Sequence, residues 1–282
     1  MAGPVKLSEY RTKYWKLLIY AVPGAGKSVF AGSSQELRTF VFDTDEGMSS
    51  VRAWIVKKKL KNDLVTFWPC KTKKDFLDAF RWLEQHWREY DLVVVDTITQ
   101  LQKTLKLESF ATPHKDPRQN WGEVGDAMDL IIAQFKGKPW HVIILAHEMR
   151  KDDVFVGTEV ARPAFQGGFK DEYARYFSVI GRYSMWWANV KVKDANGAEK
   201  VERRLQRYLE CGPNPAIHSK DRSGVLARFE KPDVDYILKK LISSQGTDEE
   251  LMAIVADQPE QPDDPGEVAL NNAVQQAQKE EE

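Results

Sequence analysis

At 282 residues, 42% of them hydrophobic and 29% charged, the chain can bury a sizeable core as one large or two small domains, which excludes a wholly disordered, collagenous or disulfide-stapled polypeptide. No run approaches the roughly 18 apolar residues of a membrane span, residues 1–16 lack a secretory apolar block, and Cys70 and Cys211 have no partner at ligand spacing, so a soluble cytoplasmic protein without disulfides, zinc or a membrane partner is expected. The net charge of −1 hides an asymmetry: residues 247–282 carry eleven acids and one base, which leaves +9 on residues 1–246, the balance of a body that meets a polyanion.

Short β-branched or aromatic runs alternate with helical stretches, predicting an α/β fold with a mainly parallel central sheet. Residues 17–21 read as a strand and 26–35 as its helix; 38–43 as a strand and 47–59 as a helix; 64–68 as a strand. A helix over 73–90 places Phe76, Phe80, Leu83 and Trp87 on one core face. Residues 92–96 form a continuous apolar strand ending in a carboxylate, as strands buried on both faces do. Helices over 98–110 and 122–135 flank a polar, proline-bearing loop, 111–121, before another buried strand at 141–146.

Residues 151–168, with Gly157, Pro163, Gly167 and Gly168, read as a long mobile loop. Residues 183–193 and 200–210 flank Asn196-Gly197, a hairpin signal, with Trp186 and Trp187 expected to pack on a sheet face. A last helix covers 234–242. The boundary falls near Gln245: residues 1–245 make the core, and 246–282, with Pro259, Pro262 and Pro265, an acidic tail expected to be disordered.

The sharpest motif is Ala21-Val22-Pro23-Gly24-Ala25-Gly26-Lys27-Ser28, between the first strand and its helix. Glycines at 24 and 26 let backbone N–H groups approach phosphates, the helix start adds positive charge, Lys27 reaches the β and γ oxygens, and Ser28 ligates Mg²⁺. Pro23, Gly24, Ala25, Gly26, Lys27, Ser28 and Val29 are the expected ATP-binding residues. This is the G-x-x-x-x-G-K-[ST] P-loop with Ala21 at the first glycine, tolerable where that residue stays extended. Its rival is a glycine-rich turn that contains Gly-Lys-Ser by chance.

Asp96 leaves the sheet beside the crevice where open α/β sheets bind ligands and can hold Mg²⁺; a turn residue capping a strand is the rival. In Asp43-Thr44-Asp45-Glu46 a carboxylate can orient water toward the γ-phosphate, against a solvated acidic turn. Spacing leaves Asp45 and Glu46 both open.

With these residues in order, the chain resembles the RecA-like P-loop ATPases, in particular the phage-encoded recombination and single-strand-annealing ATPases. The resemblance runs from about Tyr14 to Ile242. It rests on Phe42-Asp43-Thr44-Asp45-Glu46, residues 90–97, Asn120-Trp121-Gly122-Glu123-Val124, Ala146-His147-Glu148 and Lys220-Asp221-Arg222-Ser223-Gly224. It implies a RecA-like P-loop core with ATP and Mg²⁺ as ligands. Asp45 or Glu46 stands at the position of the catalytic glutamate, and His147 at that of a γ-phosphate sensor. Lys220 and Arg222 look like the Lys-Asn-Arg-Phe-Gly motif that reaches a nucleotide held by the neighbouring subunit.

The resemblance also directs 111–121 and 150–170 toward a DNA channel. There Lys115, Arg118, Arg150, Lys151, Arg162 and Lys170, with Trp121 and Phe165, are candidate contacts to single-stranded DNA; a solvated loop over core aromatics is the rival. The resulting expectation is a Mg²⁺-dependent ATPase acting on single-stranded DNA in recombination, annealing or replication, assembled with itself as a ring or filament. Its acidic tail would dock a replication or recombination protein or compete for the DNA groove. Other readings are a nucleotide-gated loader with weak hydrolysis and no DNA contact, and a kinase or transferase.

Overall fold

The computed structural model describes residues 12–61, 63–112, 114–153, 157–193, 199–246 and 248–256. In chain order the elements are β1 (Lys16–Ala21), α1 (Lys27–Gly32), β2 (Thr39–Asp43), α2 (Met48–Lys58), β3 (Val65–Pro69), α3 (Lys73–Gln85), β4 (Leu92–Asp96), α4 (Ile98–Ala111), α5 (Pro117–Lys136) and β5 (His141–Asp153). Then follow β6 (Thr158–Pro163), α6 (Phe169–Glu172), β7 (Val179–Lys193), β8 (Glu199–Glu210), β9 (Lys220–Asp221), β10 (Phe229–Glu230), α7 (Val234–Ser243) and α8 (Asp248–Ala256).

The strands form one sheet in the order β10-β8-β7-β1-β5-β4-β2-β3, with β6 on β5 and β9 on β7. From β7 to β3 every neighbouring pair is parallel, and β7–β8 and β8–β10 are antiparallel. The expected α/β architecture with a mainly parallel sheet and a C-terminal hairpin is present. Side-chain alternation splits the core in two. Leu18, Tyr20, Phe40, Phe42, Val95 and Ile144 pack against α3, α4 and α5, whereas Ile19, Val41, Val94, Ile143 and Leu145 pack with α1, α2 and α7. Cys70 and Cys211 are free thiols, one in each cluster. No described helix is long and apolar enough to cross a membrane.

Several elements differ from the sequence reading, each for a local reason. Helix α1 stops at Gly32 because the next residues turn away to bind α7: Gln35 N–H donates to Asp235 Oδ2 at 2.7 Å, and the Ser34 hydroxyl donates to Asp235 Oδ1. Helix α3 starts on a capping box, Thr72 with Asp75, but ends at Gln85. Trp87 falls in a separate 3₁₀ turn and is exposed. Residues 117–121 are helical, because Asp116 caps α5 and Pro117 occupies its first turn.

The segment read as a mobile loop is an antiparallel arm in which Glu148 faces Pro163 and Asp153 faces Thr158. The β7–β8 hairpin is present from Arg182 to Glu210; the Asn196-Gly197 turn lies outside the described residues. Within the segment read as a disordered tail, residues 248–256 form a helix that meets α7, with Ile254 against the core. Residues 257–282 lie outside the described residues.

Candidate active site

Period-two geometry assembles the site. Val41, Val94 and Leu145 face the α1 layer, so Asp43, Asp96 and His147, two residues further along β2, β4 and β5, face it too. The parallel register then sets Asp43 beside Asp96 and His147 beside Ala21. Ala21 is a buried strand residue, the extended placement that an alanine at this position requires.

Beyond it Gly24 and Gly26 have φ of 77° and 104°, backbone that a side chain would strain. A Cβ on Gly24 would meet nothing within 4 Å, so the loop presents open space to a ligand. Lys27 follows, buried, and its charge acts on both Asp96 and His147. Pro23 is exposed, Ala25 buried, and Ser28 and Val29 half-buried.

Asp96 is 1% exposed, and neither carboxylate oxygen has a hydrogen-bond partner among the described residues. Burial pushes its pKa up to about 6 against the pull of Ser28 and Lys27. Such a group is costly unless something completes it. A Cβ built on Gly47 would collide with Asp96 Oδ2 and lie 2.9 Å from Ser28 Oγ, so hydroxyl and carboxylate flank one small space that a missing side chain keeps open. One carboxylate, one hydroxyl and access for phosphate oxygens suit Mg²⁺, which rarely occupies an all-protein cage.

Gly47 has an ordinary φ of −70°, so Gly47→Ala would crowd this space without straining the backbone. Its expected effect is a folded protein whose Mg²⁺-nucleotide affinity is about 10- to 100-fold weaker, measurable by titration calorimetry with ATP analogue and Mg²⁺. Unchanged affinity would remove Gly47 from the site.

The two open carboxylates separate clearly. Asp45 Oδ2 lies 3.2 Å from His147 Nε2, facing the loop. Glu46 has φ 56° and turns outward to an exposed ion pair with Lys71 at 3.3 Å. Asp43 braces the turn, its Oδ1 accepting the Gly47 N–H at 2.9 Å. Thr44 Oγ1 donates to the Thr97 carbonyl and accepts the Thr97 N–H, both at 2.8 Å, tying the two strand ends together. Burial, and then Lys27, hold His147 below the usual imidazole pKa against the pull of Asp45. Since a carboxylate only accepts, the neutral ring carries its proton on Nε2.

The remaining candidates do not join this cluster. Strand β9 pairs with Val179 and Ile180 of β7, beside Leu17 and Leu18 at the opposite end of β1 from the loop. Lys220 Nζ donates to the carbonyls of Ala174 and Phe177 at 2.6 and 2.8 Å, so it fastens its own chain and is no free finger. Arg222 is exposed there.

Lys115, Arg118, Arg150, Lys151 and Lys170 are exposed, and Arg162 is half-buried. Their expected aromatic companions are not available to bases: Phe165 is core, and Trp121 packs edge-on against Phe110 with Lys106 over its ring.

Two hairpin residues join the site without any signal in the sequence. Arg207 Nε donates to the Ala25 carbonyl at 3.0 Å, and the Tyr183 ring lies 5.6 Å from Phe30. Both line a groove of about 590 Å³ with Gly26 and Val29. Nothing local distinguishes Arg207 from Arg203 and Arg204; only the fold sends it to the loop. A larger groove, about 750 Å³ between α3, α4 and α5, lies on the other side of the sheet.

Compared with known families, residues 13–223 match the model of an AAA domain. No curated protein matches the chain.

Proposed function

Because the chain belongs to the AAA domain family and is a P-loop ATPase, we propose that it is a Mg²⁺-dependent ATP hydrolase that works on single-stranded DNA in recombination, annealing or replication, as a ring or filament of identical subunits. The observation that carries the hydrolytic reading is the Asp45–His147 contact on the same side of the sheet as Lys27 and Asp96. The loop N–H groups and Lys27 bind the triphosphate. Ser28 and Asp96 would hold Mg²⁺, which neutralises phosphate charge when bound. Asp45 orients water and accepts its proton at a carboxylate oxygen. His147 fixes that carboxylate through Nε2–H and, lying on the strand that continues into the β5–β6 arm, relays the state of the site to it.

DNA binding is supported by the positive balance of residues 1–246 and the exposed cations of the arm and the α4–α5 turn. Assembly is supported by Arg222, exposed at the end of the sheet opposite the chain's own glycine loop. The acidic tail would dock a replication or recombination protein. ATP turnover with and without single-stranded DNA tests the reading. Several-fold stimulation is expected, with Lys27→Ala losing roughly 10²- to 10³-fold in turnover. Weak turnover, unresponsive to DNA and without DNA binding at low salt, would favour a nucleotide-gated loader.

A further inference from the structure

The β7–β8 hairpin leaves the sheet with one face unusually dressed. Residues opposite each other share a face, and the register pairs Met185 with Arg207, Trp187 with Leu205, Asn189 with Arg203 and Lys191 with Val201. Apolar residues on a sheet face are normally turned toward a core. Here Met185, Trp187, Leu205 and Val201 are 47%, 51%, 49% and 64% exposed. The opposite face is the covered one, where Trp186 and Tyr208 pack on the Phe229 ring.

Cations are interleaved with the exposed apolar groups. Lys191, Arg203 and Arg207 lie on that face against one acid, Glu199, and the Arg203 guanidinium sits over the Trp187 ring at 5.9 Å. A two-fold contact of this face with its own copy would bury these charges opposite like charges. A single strand of nucleic acid matches both features, with phosphates meeting the cations and bases stacking on the indole and guanidinium planes. We propose that this face of the hairpin, centred on Trp187, Leu205 and Arg203, is the docking surface for single-stranded DNA, in place of the arm and turn cations considered above. The proposal rests on the reading of the protein as a single-strand-dependent ATPase and gives that reading a location.

The test is binding of a fluorescent oligothymidylate to the full chain across a salt series, with sedimentation and basal ATP turnover measured in parallel. Trp187→Ala and Leu205→Ser should each weaken binding about fivefold or more. Arg203→Ala should reduce the slope of log affinity against log salt by about 0.7. Trp187 and Arg203 lie outside the catalytic cluster, so DNA-free turnover of these two variants should stay at the wild-type level, which also reports a folded protein; Leu205 lines the groove beside Gly26 and Val29, so its variant is read on DNA affinity alone.

Wild-type binding by all three variants, with loss on Arg150→Ala and Lys151→Ala, would overturn the location while the single-strand reading stands. Failure of the unaltered protein to bind at low salt would overturn both. A lower assembly state in Trp187→Ala with unchanged DNA affinity would make the face a contact between copies and overturn the proposal as well.

Discussion

Asp96→Asn is expected to yield a protein that is more stable and inactive. The carboxylate is 1% exposed, has no hydrogen-bond partner for either oxygen among the described residues and has its pKa raised by burial from 3.8 to about 6, a difference equivalent to roughly 3 kcal/mol between protonation states. The folded chain holds this proton more tightly than the unfolded one. Stability is therefore greatest below pH ~4 for this group and falls as pH rises from about 4 through 6.

Asparagine carries no charge to desolvate, although its amide must find partners of its own. A net gain of about 1–2 kcal/mol at pH 7.5 is expected, vanishing near pH 4, in urea unfolding of the nucleotide-free protein. Turnover should fall at least about 100-fold, with weakened Mg²⁺ dependence. A variant less stable at pH 7.5 would mean that the carboxylate is not a desolvated, uncompensated charge in the nucleotide-free protein; an active variant would overturn the metal assignment.

Asp45→Asn and Glu46→Gln should part widely. Only Asp45 contacts His147, while Glu46 is directed to an exposed pair with Lys71, worth about 1 kcal/mol or less. Loss of a base that orients and deprotonates water lowers turnover by roughly 10²- to 10⁴-fold, with ATP affinity nearly unchanged. Glu46→Gln should stay within about twofold. Steady-state turnover, paired with equilibrium nucleotide binding, separates the two; equal effects, or a larger one at Glu46, would remove Asp45 from the water-activating role.

The strands that build the site are legible in the sequence because central parallel strands are apolar on both faces and end abruptly: residues 17–21, 92–96 and 141–146 announce themselves without any partner. The loop around Lys27 is equally plain, since its glycines and lysine are adjacent in the chain. What the sequence hides depends on distant partners. The early end of α1 is decided by Asp235, some 200 residues away. The β5–β6 arm is solvated and polar after His147, so it lacks the apolar alternation that marks a strand.

The choice between Asp45 and Glu46 follows from a left-handed φ at Glu46 and from His147 on another strand; neither leaves a mark within Asp43-Thr44-Asp45-Glu46. The shared face of Asp43, Asp96 and His147 is a different case, because each stands two residues after an apolar strand position, Val41, Val94 and Leu145, and the alternation of a strand carries that spacing directly.

Arg207 sits on the same strand as Leu205 and Arg203, and its guanidinium is anchored to the Ala25 carbonyl. That tether makes the hairpin and the glycine loop one mechanical unit. Thermodynamic reciprocity then applies in both directions: any ligand that shifts the ribbon must alter nucleotide affinity by the same factor by which nucleotide alters the ligand's. Cutting the tether would weaken that mutual influence and leave the Tyr183–Phe30 ring contact to carry the remainder.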